Sequence, residues 1–140
     1  MSTTIRSKIS KENPYYISKY RYLELKNFCL QYPEWLKAYL YLKETDGRSF
    51  KGILKVGNTQ TNNDGTADLA MKKVYLDRRM KLIEDTALAA DSEIGNYIFK
   101  AVTEGYSFTY LKTKLEIPCG RDFYYNRYRR FFWLLNDSRG

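Results

Sequence analysis

The segment Gly120-Arg-Asp-Phe-Tyr-Tyr-Asn-Arg-Tyr-Arg-Arg-Phe-Phe-Trp-Leu-Leu135 decides how the rest of the chain is read. Wound as a helix, it lines Tyr124, Tyr128, Phe131 and Leu135 along one face, leaving Arg121, Asp122, Tyr125, Asn126, Arg129 and Arg130 on the others. The first set is expected to pack. The second has the residue types that meet nucleic acid.

Working upstream, Leu115-Glu-Ile-Pro-Cys-Gly120 reads as a turn, with Leu115 and Ile117 as apolar anchors and Pro118 forbidding simple helix continuation. Ser107 or Thr109 opens a short helix through Lys114, with Phe108 and Leu111 turned inward. Before it, Asp91 is a candidate N-cap for an amphipathic helix in which Ile94, Tyr97, Ile98, Ala101 and Val102 share a stripe, and Gly105 is its stop. A short helix, an anchored turn and a longer basic helix make a helix-turn-helix. In that motif the last helix enters the major groove and its N-terminal residues meet base edges.

The expected base contacts are Arg121, Asp122, Tyr125, Asn126 and Arg129. Arginine forks onto guanine, asparagine pairs with adenine, and aspartate accepts from cytosine. Lys112, Lys114, Arg127 and Arg130 are the expected phosphate contacts, which position a domain and make binding salt-sensitive.

Further upstream a long helix is expected from Thr66 to Ala90. Leu69, Leu76, Met80, Ile83, Ala87 and Ala90 form a heptad-like seam, open to packing within the chain or to a homodimer through residues 66–90. Residues 44–65 hold Asp46-Gly47, Gly52, Gly57-Asn58 and Asn62-Asn63-Asp64-Gly65, and so read as a linker in which Phe50, Ile53, Leu54 and Val56 make a short strand pair or a tether. Residues 14–43 read as an N-terminal lobe. Its first helix is capped by Ser18, with Tyr20, Leu23 and Leu30 on one side and Leu25, Phe28, Cys29 and Tyr32 on another. Pro33 starts its second helix, which runs from Glu34 to about Lys43 and carries Trp35, Leu36, Tyr39, Leu40 and Leu42. Residues 1–13 read as a flexible polar arm.

Composition narrows function. The chain of 140 residues is 44% hydrophobic and 16% aromatic, enough for a core. Its net charge of +8 favours polyanionic partners. That charge is uneven, +6 over residues 1–55, −2 over 56–106 and +4 over 107–140. With no histidine, the chain cannot build a Ser-His-Asp or Cys-His nucleophile or an imidazole metal site. Cys29 and Cys119 are too few for a four-thiolate zinc site and read as buried packing residues. Asp64, Asp68, Asp77, Glu84, Asp85 and Asp91 read as caps and solvated charges rather than magnesium ligands. No enzyme activity and no cofactor are expected. No apolar run approaches the roughly 20 residues of a membrane span, so a cytoplasmic, nucleoid-associated protein is the expectation.

Leu25-Lys-Asn-Phe-Cys-Leu-Gln-Tyr-Pro-Glu-Trp35, Gly65-Thr-Ala-Asp-Leu-Ala70 with Lys81-Leu-Ile-Glu-Asp-Thr-Ala87, and Ile117-Pro-Cys-Gly-Arg-Asp-Phe-Tyr-Tyr125 resemble small proteins of phages and prophages of Gram-positive bacteria. The chain is similar over most of residues 17–135 to ArpU/RinA-type phage transcriptional regulators, which end in a sigma-factor-like helix-turn-helix. The resemblance implies a regulator of phage genes and carries over only the helix-turn-helix positions named above; the residues themselves read as an all-α fold that binds double-stranded DNA, with RNA polymerase or another host protein as a further partner. Two alternatives stay open: a small terminase-like DNA-packaging protein, and an inhibitor whose basic face docks on a host protein.

Overall fold

The computed structural model describes residues 13–45 and 59–140, and among these the fold is all-α. The helices are α1 (Lys19–Leu30), α2 (Tyr32–Thr45), α3 (Thr59–Ala90), α4 (Gly95–Glu104), α5 (Phe108–Thr113) and α6 (Arg121–Arg139). The arm over residues 1–12 and the expected strand pair of Phe50, Ile53, Leu54 and Val56 lie outside the described residues.

Local sequence explains most helix ends. Ser18 caps α1, its hydroxyl accepting from the Arg21 amide at 3.3 Å. Ser107 does the same for α5 through the Tyr110 amide at 3.1 Å. Gly105 ends α4 in the left-handed region (φ 79°), where a side chain would strain the backbone. Asp91 acts one turn earlier than an N-cap of α4 should: its carboxylate accepts from the Glu93 and Ile94 amides, and the regular helix begins at Gly95.

α3 departs most from expectation, because it begins at Thr59 rather than Thr66 and runs straight through Asn62-Asn63-Asp64-Gly65. Lengthening an existing helix gains a hydrogen bond per residue without a new nucleation cost, which outweighs the weak helix propensity of these residues. The 44–65 linker is therefore shorter than the sequence implies.

The chain divides into two compact units, one comprising residues up to Tyr32 together with Leu82–Gly140, the other Pro33–Lys81. Residues 14–43 thus do not form a lobe of their own. α1 packs on α4 and α6, inside the unit that holds the C-terminal helices. Its core face is Tyr22, Leu25, Phe28 and Cys29, whereas Tyr20 and Leu30, on the other expected face, are exposed. From α4 come Ile94, Ile98, Ala101 and Val102; from α5 and the turn Phe108, Leu111 and Ile117; from α6 Tyr124, Phe131, Phe132 and Leu135, all buried. At about 25 cal/mol per Å² of apolar area, this shared core is what holds the four helices together.

In the Pro33–Lys81 unit, Trp35, Leu76 and Met80 are buried, and the Arg79 guanidinium lies 4.3 Å from the Tyr75 ring centroid and 5.7 Å from that of Trp35. On the broad apolar face expected for α2, Trp35 is buried, Tyr39 and Leu42 are half-buried, and Leu36 and Leu40 are exposed. The heptad-like seam of α3 is also resolved. Leu76, Met80, Ile83, Ala87 and Ala90 are buried within the single chain, and Leu69 is half-buried.

Candidate nucleic-acid interface

The short helix, turn and long helix occur in the expected order, and the turn has a definite construction. Glu116 adopts a positive φ of 55°, unusual for a residue with a side chain, and this reverses the chain so that Ile117 can bury. The Ile117 amide then donates to the Leu111 carbonyl at 3.0 Å. Lys112 donates its ammonium to the Ile117 and Cys119 carbonyls, at 3.4 and 3.2 Å. A residue expected on phosphate is thus also a brace of the turn. Leu115 and Cys119 are only half-buried, so Cys119 is not the packing thiol its context implies, whereas Cys29 is fully buried and its thiol is pushed up by desolvation.

α6 starts at Gly120, extended and without a side-chain cap. Arg121 and Asp122 are exposed, and the Arg121 guanidinium carbon lies 5.1 Å from the centroid of Phe108, a cation–π contact across the α5–α6 junction. Tyr125 is half-buried among Phe108, Tyr124 and Tyr128, with Tyr124 edge-on at 4.9 Å. Asn126 is half-buried. Arg129 is half-buried as well, and desolvation lowers its pKa while the Asp122 carboxylate opposes the shift. A guanidinium retains its proton in proteins, so Arg129 remains a cation.

The remaining phosphate candidates differ from one another. Lys114 is exposed at the end of α5. Arg127 is drawn inward, its Nε 3.3 Å from an Asp91 carboxylate oxygen and its guanidinium 5.1 Å from the Phe123 ring centroid. That pair ties the start of the α4 turn to α6. Arg130 lies 6.0 Å from the centroid of Tyr15, and Tyr15 in turn packs against Trp133 at 5.6 Å. Asn13 fixes that segment by accepting the Tyr15 amide at 2.8 Å. Of the four, Lys114 is the one whose ammonium makes no such contact among the described residues.

Sequence reasoning missed Phe123, an aromatic ring 43% exposed in the first turn of α6, and Tyr110, which stacks on Tyr106 at 4.3 Å beside it in the chain order of α5. The signal was available for Phe123, which lies off the Tyr124–Tyr128–Phe131–Leu135 stripe. None was available for Tyr110.

The C-terminal half of α6 is closed by α1. Tyr22 sits edge-on to Phe132 at 5.0 Å and its hydroxyl bonds that of Tyr128 at 2.9 Å. Arg21 donates Nε to Asn136 Oδ1 at 2.6 Å, and Arg139 lies over Phe28 at 4.1 Å. In the first turn of α6 Arg121, Asp122 and Phe123 are exposed, as are Tyr110 of α5 and Lys114 just after it, while Asn126 is half-buried. Among the described residues no group of carboxylates or thiols is placed to hold a metal, and no helix is long and apolar enough to cross a membrane. Comparison with known proteins finds no matching family model, no matching curated protein and no matching solved structure.

Proposed function

We propose that the chain is a sequence-specific binder of double-stranded DNA that regulates phage genes, reading the major groove with the first turns of α6. The observation that carries this reading is the asymmetry of α6. Its C-terminal half packs against α1, Tyr124 in its second turn seats on Phe108 of α5, and its first turn projects Arg121 and Asp122 into solvent. A recognition helix needs both properties, a rigid seat and a polar leading end.

Arg121 is the primary base reader, with guanine O6 and N7 as its natural partner, and Asn126 reads adenine where the groove reaches it. Lys114 is the principal phosphate contact, while Lys112, Arg127 and Arg130 contribute positive field from positions that also brace the fold. Regulation of phage genes rests on the resemblance of the three quoted segments, and RNA polymerase or another host protein is the partner that step requires.

Duplexes enriched from a random pool, titrated by fluorescence anisotropy at several salt concentrations, test the reading. The affinity is expected to fall linearly in log–log salt dependence, and Arg121→Ala with Arg129→Ala to remove about 1–3 kcal/mol per base contact while the melting temperature stays near the parent's. No enrichment of any duplex at low salt, or unchanged affinity in a folded double variant, sinks it. Co-purification of a host protein in that event turns the basic face into a protein-docking surface.

A further inference from the structure

Gly95 opens α4 hard against the α3 backbone. A Cβ there would come within 2.8 Å of the Ala87 carbonyl oxygen and 3.1 Å of Leu88 Cα, so glycine is required for the approach. Beside this contact lies a cavity of about 290 Å³, bordered by Tyr32, Glu84, Leu88, Asn96 and Phe99. Leu88 and Asn96 are exposed, which opens it to solvent on their side. None of these residues belongs to α5 or α6.

The chemistry of the lining is specific. Glu84 is its one charged group, and among the described residues no lysine or arginine pairs with it. The Tyr32 hydroxyl donates to Glu84 Oε2 at 2.5 Å, and a carboxylate has acceptor capacity beyond one such bond. Burial first, then the bond to Glu84, raises the Tyr32 pKa above its ordinary 10.0, so the phenol stays the donor. Tyr32 and Phe99 meet edge to face, 4.9 Å apart at 90°. One carboxylate flanked by two aromatic rings is the arrangement that attracts organic cations, through charge on one side and ring quadrupoles on the other. An anion is repelled by Glu84. The net +8 of the chain makes this acidic, aromatic cleft a local exception, so its selectivity must be its own.

We propose that this cleft binds an alkylammonium or guanidinium group of side-chain size. Glu84 holds the charged head, Tyr32 and Phe99 pack on the stem, and Asn96 closes the mouth. The volume lies at the lower edge of ligand cavities, roughly 300 Å³ and upward, and so admits a short aliphatic cation rather than a drug-sized molecule. The group can arrive as a free amine or as a lysine or arginine side chain of a partner.

Amide-detected NMR of the full chain, titrated with n-butylammonium at constant ionic strength and with n-butanol as the neutral isostere, tests the proposal. Saturable shifts are expected at the Asn96 side-chain amide and the Leu88 and Phe99 backbone amides, with the cation at least about tenfold tighter than the alcohol. Glu84→Gln is expected to weaken the cation about tenfold and leave the alcohol unchanged. Asn96→Arg, on the exposed rim, sets a guanidinium of the chain's own at the mouth and should also weaken the probe, without touching the core. Tighter binding of spermidine than of butylammonium identifies a free amine; tighter binding of a lysine- or arginine-containing tripeptide identifies a protein side chain. Equal affinity for butanol and butylammonium, undiminished binding in Glu84→Gln or in a folded Asn96→Arg, or no saturation by about 50 mM overturns the proposal.

Discussion

Arg121 to Arg129 and Phe131 to Arg139 belong to one continuous helix, yet the first stretch turns Arg121, Asp122 and Phe123 to solvent while the second buries Phe131, Phe132 and Leu135 completely. The first stretch interleaves arginine with aromatic rings, whereas the second gathers Phe131, Phe132 and Trp133 at its start and carries a single arginine, Arg139, at its end. What covers the second is α1, which lays Tyr22 on Phe132 and Arg21 on Asn136; in the first stretch the Tyr22 hydroxyl bonds that of Tyr128, and Tyr124 is buried against Phe108 of α5. An aromatic ring in a basic helix is therefore a core residue or a surface residue according to a neighbour from the opposite end of the chain. On the proposed reading, the surface left for DNA is the part of α6 that α1 does not cover.

The most direct way to break this comparison is to cut the same ring from each half. Phe132→Ala removes a side chain with no exposure and opens a cavity under Tyr22, at an expected cost of about 3–5 kcal/mol in urea unfolding. Phe123→Ala, at 43% exposure, should cost about 0.5 kcal/mol or less. Equal losses would mean that α6 has no exposed half.

A second difference appears at alkaline pH. Burial raises the pKa values of Tyr22, Tyr124 and Tyr128 above the ordinary 10.0, and a raised acid pKa means that the folded state retains a proton the unfolded chain gives up. Below about pH 10 both states are protonated and stability is unaffected; above it the unfolded chain binds fewer protons, and stability falls as pH rises. Each phenol contributes a slope of about 1.4 kcal/mol per pH unit, so the three together reach about 4 kcal/mol per unit. Urea midpoints should hold steady to about pH 9 and drop steeply beyond about pH 10, with Tyr128→Phe removing about 1.4 kcal/mol per pH unit of the slope. A midpoint unchanged through that range would place these hydroxyls in water.

Much of the fold could be read from the chain because the signals are local. Ser18, Ser107 and Gly105 each satisfy or end a helix through groups a few residues away, and the α4 stripe needs only a helical period. What escaped the reading depends on distant partners. Phe132 is not among the residues of the expected packing stripe of α6, yet it is buried, with Tyr22 of α1 packed edge-on against it beside its helix neighbours Tyr128 and Phe131. Arg127 looks like a phosphate ligand until Asp91 arrives beside it, and nothing in Lys112 announces that two turn carbonyls await its ammonium. The positive φ of Glu116 is likewise imposed by the need to bury Ile117, where the residue's own preference is against it. For the candidate site, Arg121 and Asp122 were legible as exposed because an N-terminal turn has few neighbours. The half-burial of Tyr125, Asn126 and Arg129 was not, since it depends on the rings and helices around them.

The smallest expected effect sharpens the comparison at the leading edge of α6. The Tyr124 amide is bonded to the Gly120 carbonyl at 3.0 Å, and the amides of Arg121, Asp122 and Phe123 precede it without a side-chain cap at Gly120. α1 and α5, by contrast, each begin at a capping serine. Gly120 is already extended (φ −86°, ψ 174°) and a Cβ there meets nothing within 4 Å, so Gly120→Ser can place a hydroxyl on the Asp122 or Phe123 amide without moving the chain. The gain expected is a few tenths of a kcal/mol, about 1–2 °C in melting temperature, because serine exceeds glycine only slightly as a cap. Hydrogen exchange should slow at Asp122 and Phe123 and stay unchanged at Phe131 and Leu135, whose protection is set by the core. Slowing along the whole helix would mean that its two halves open as one unit, and the exposed end would then be no more independent of α1 than the buried one.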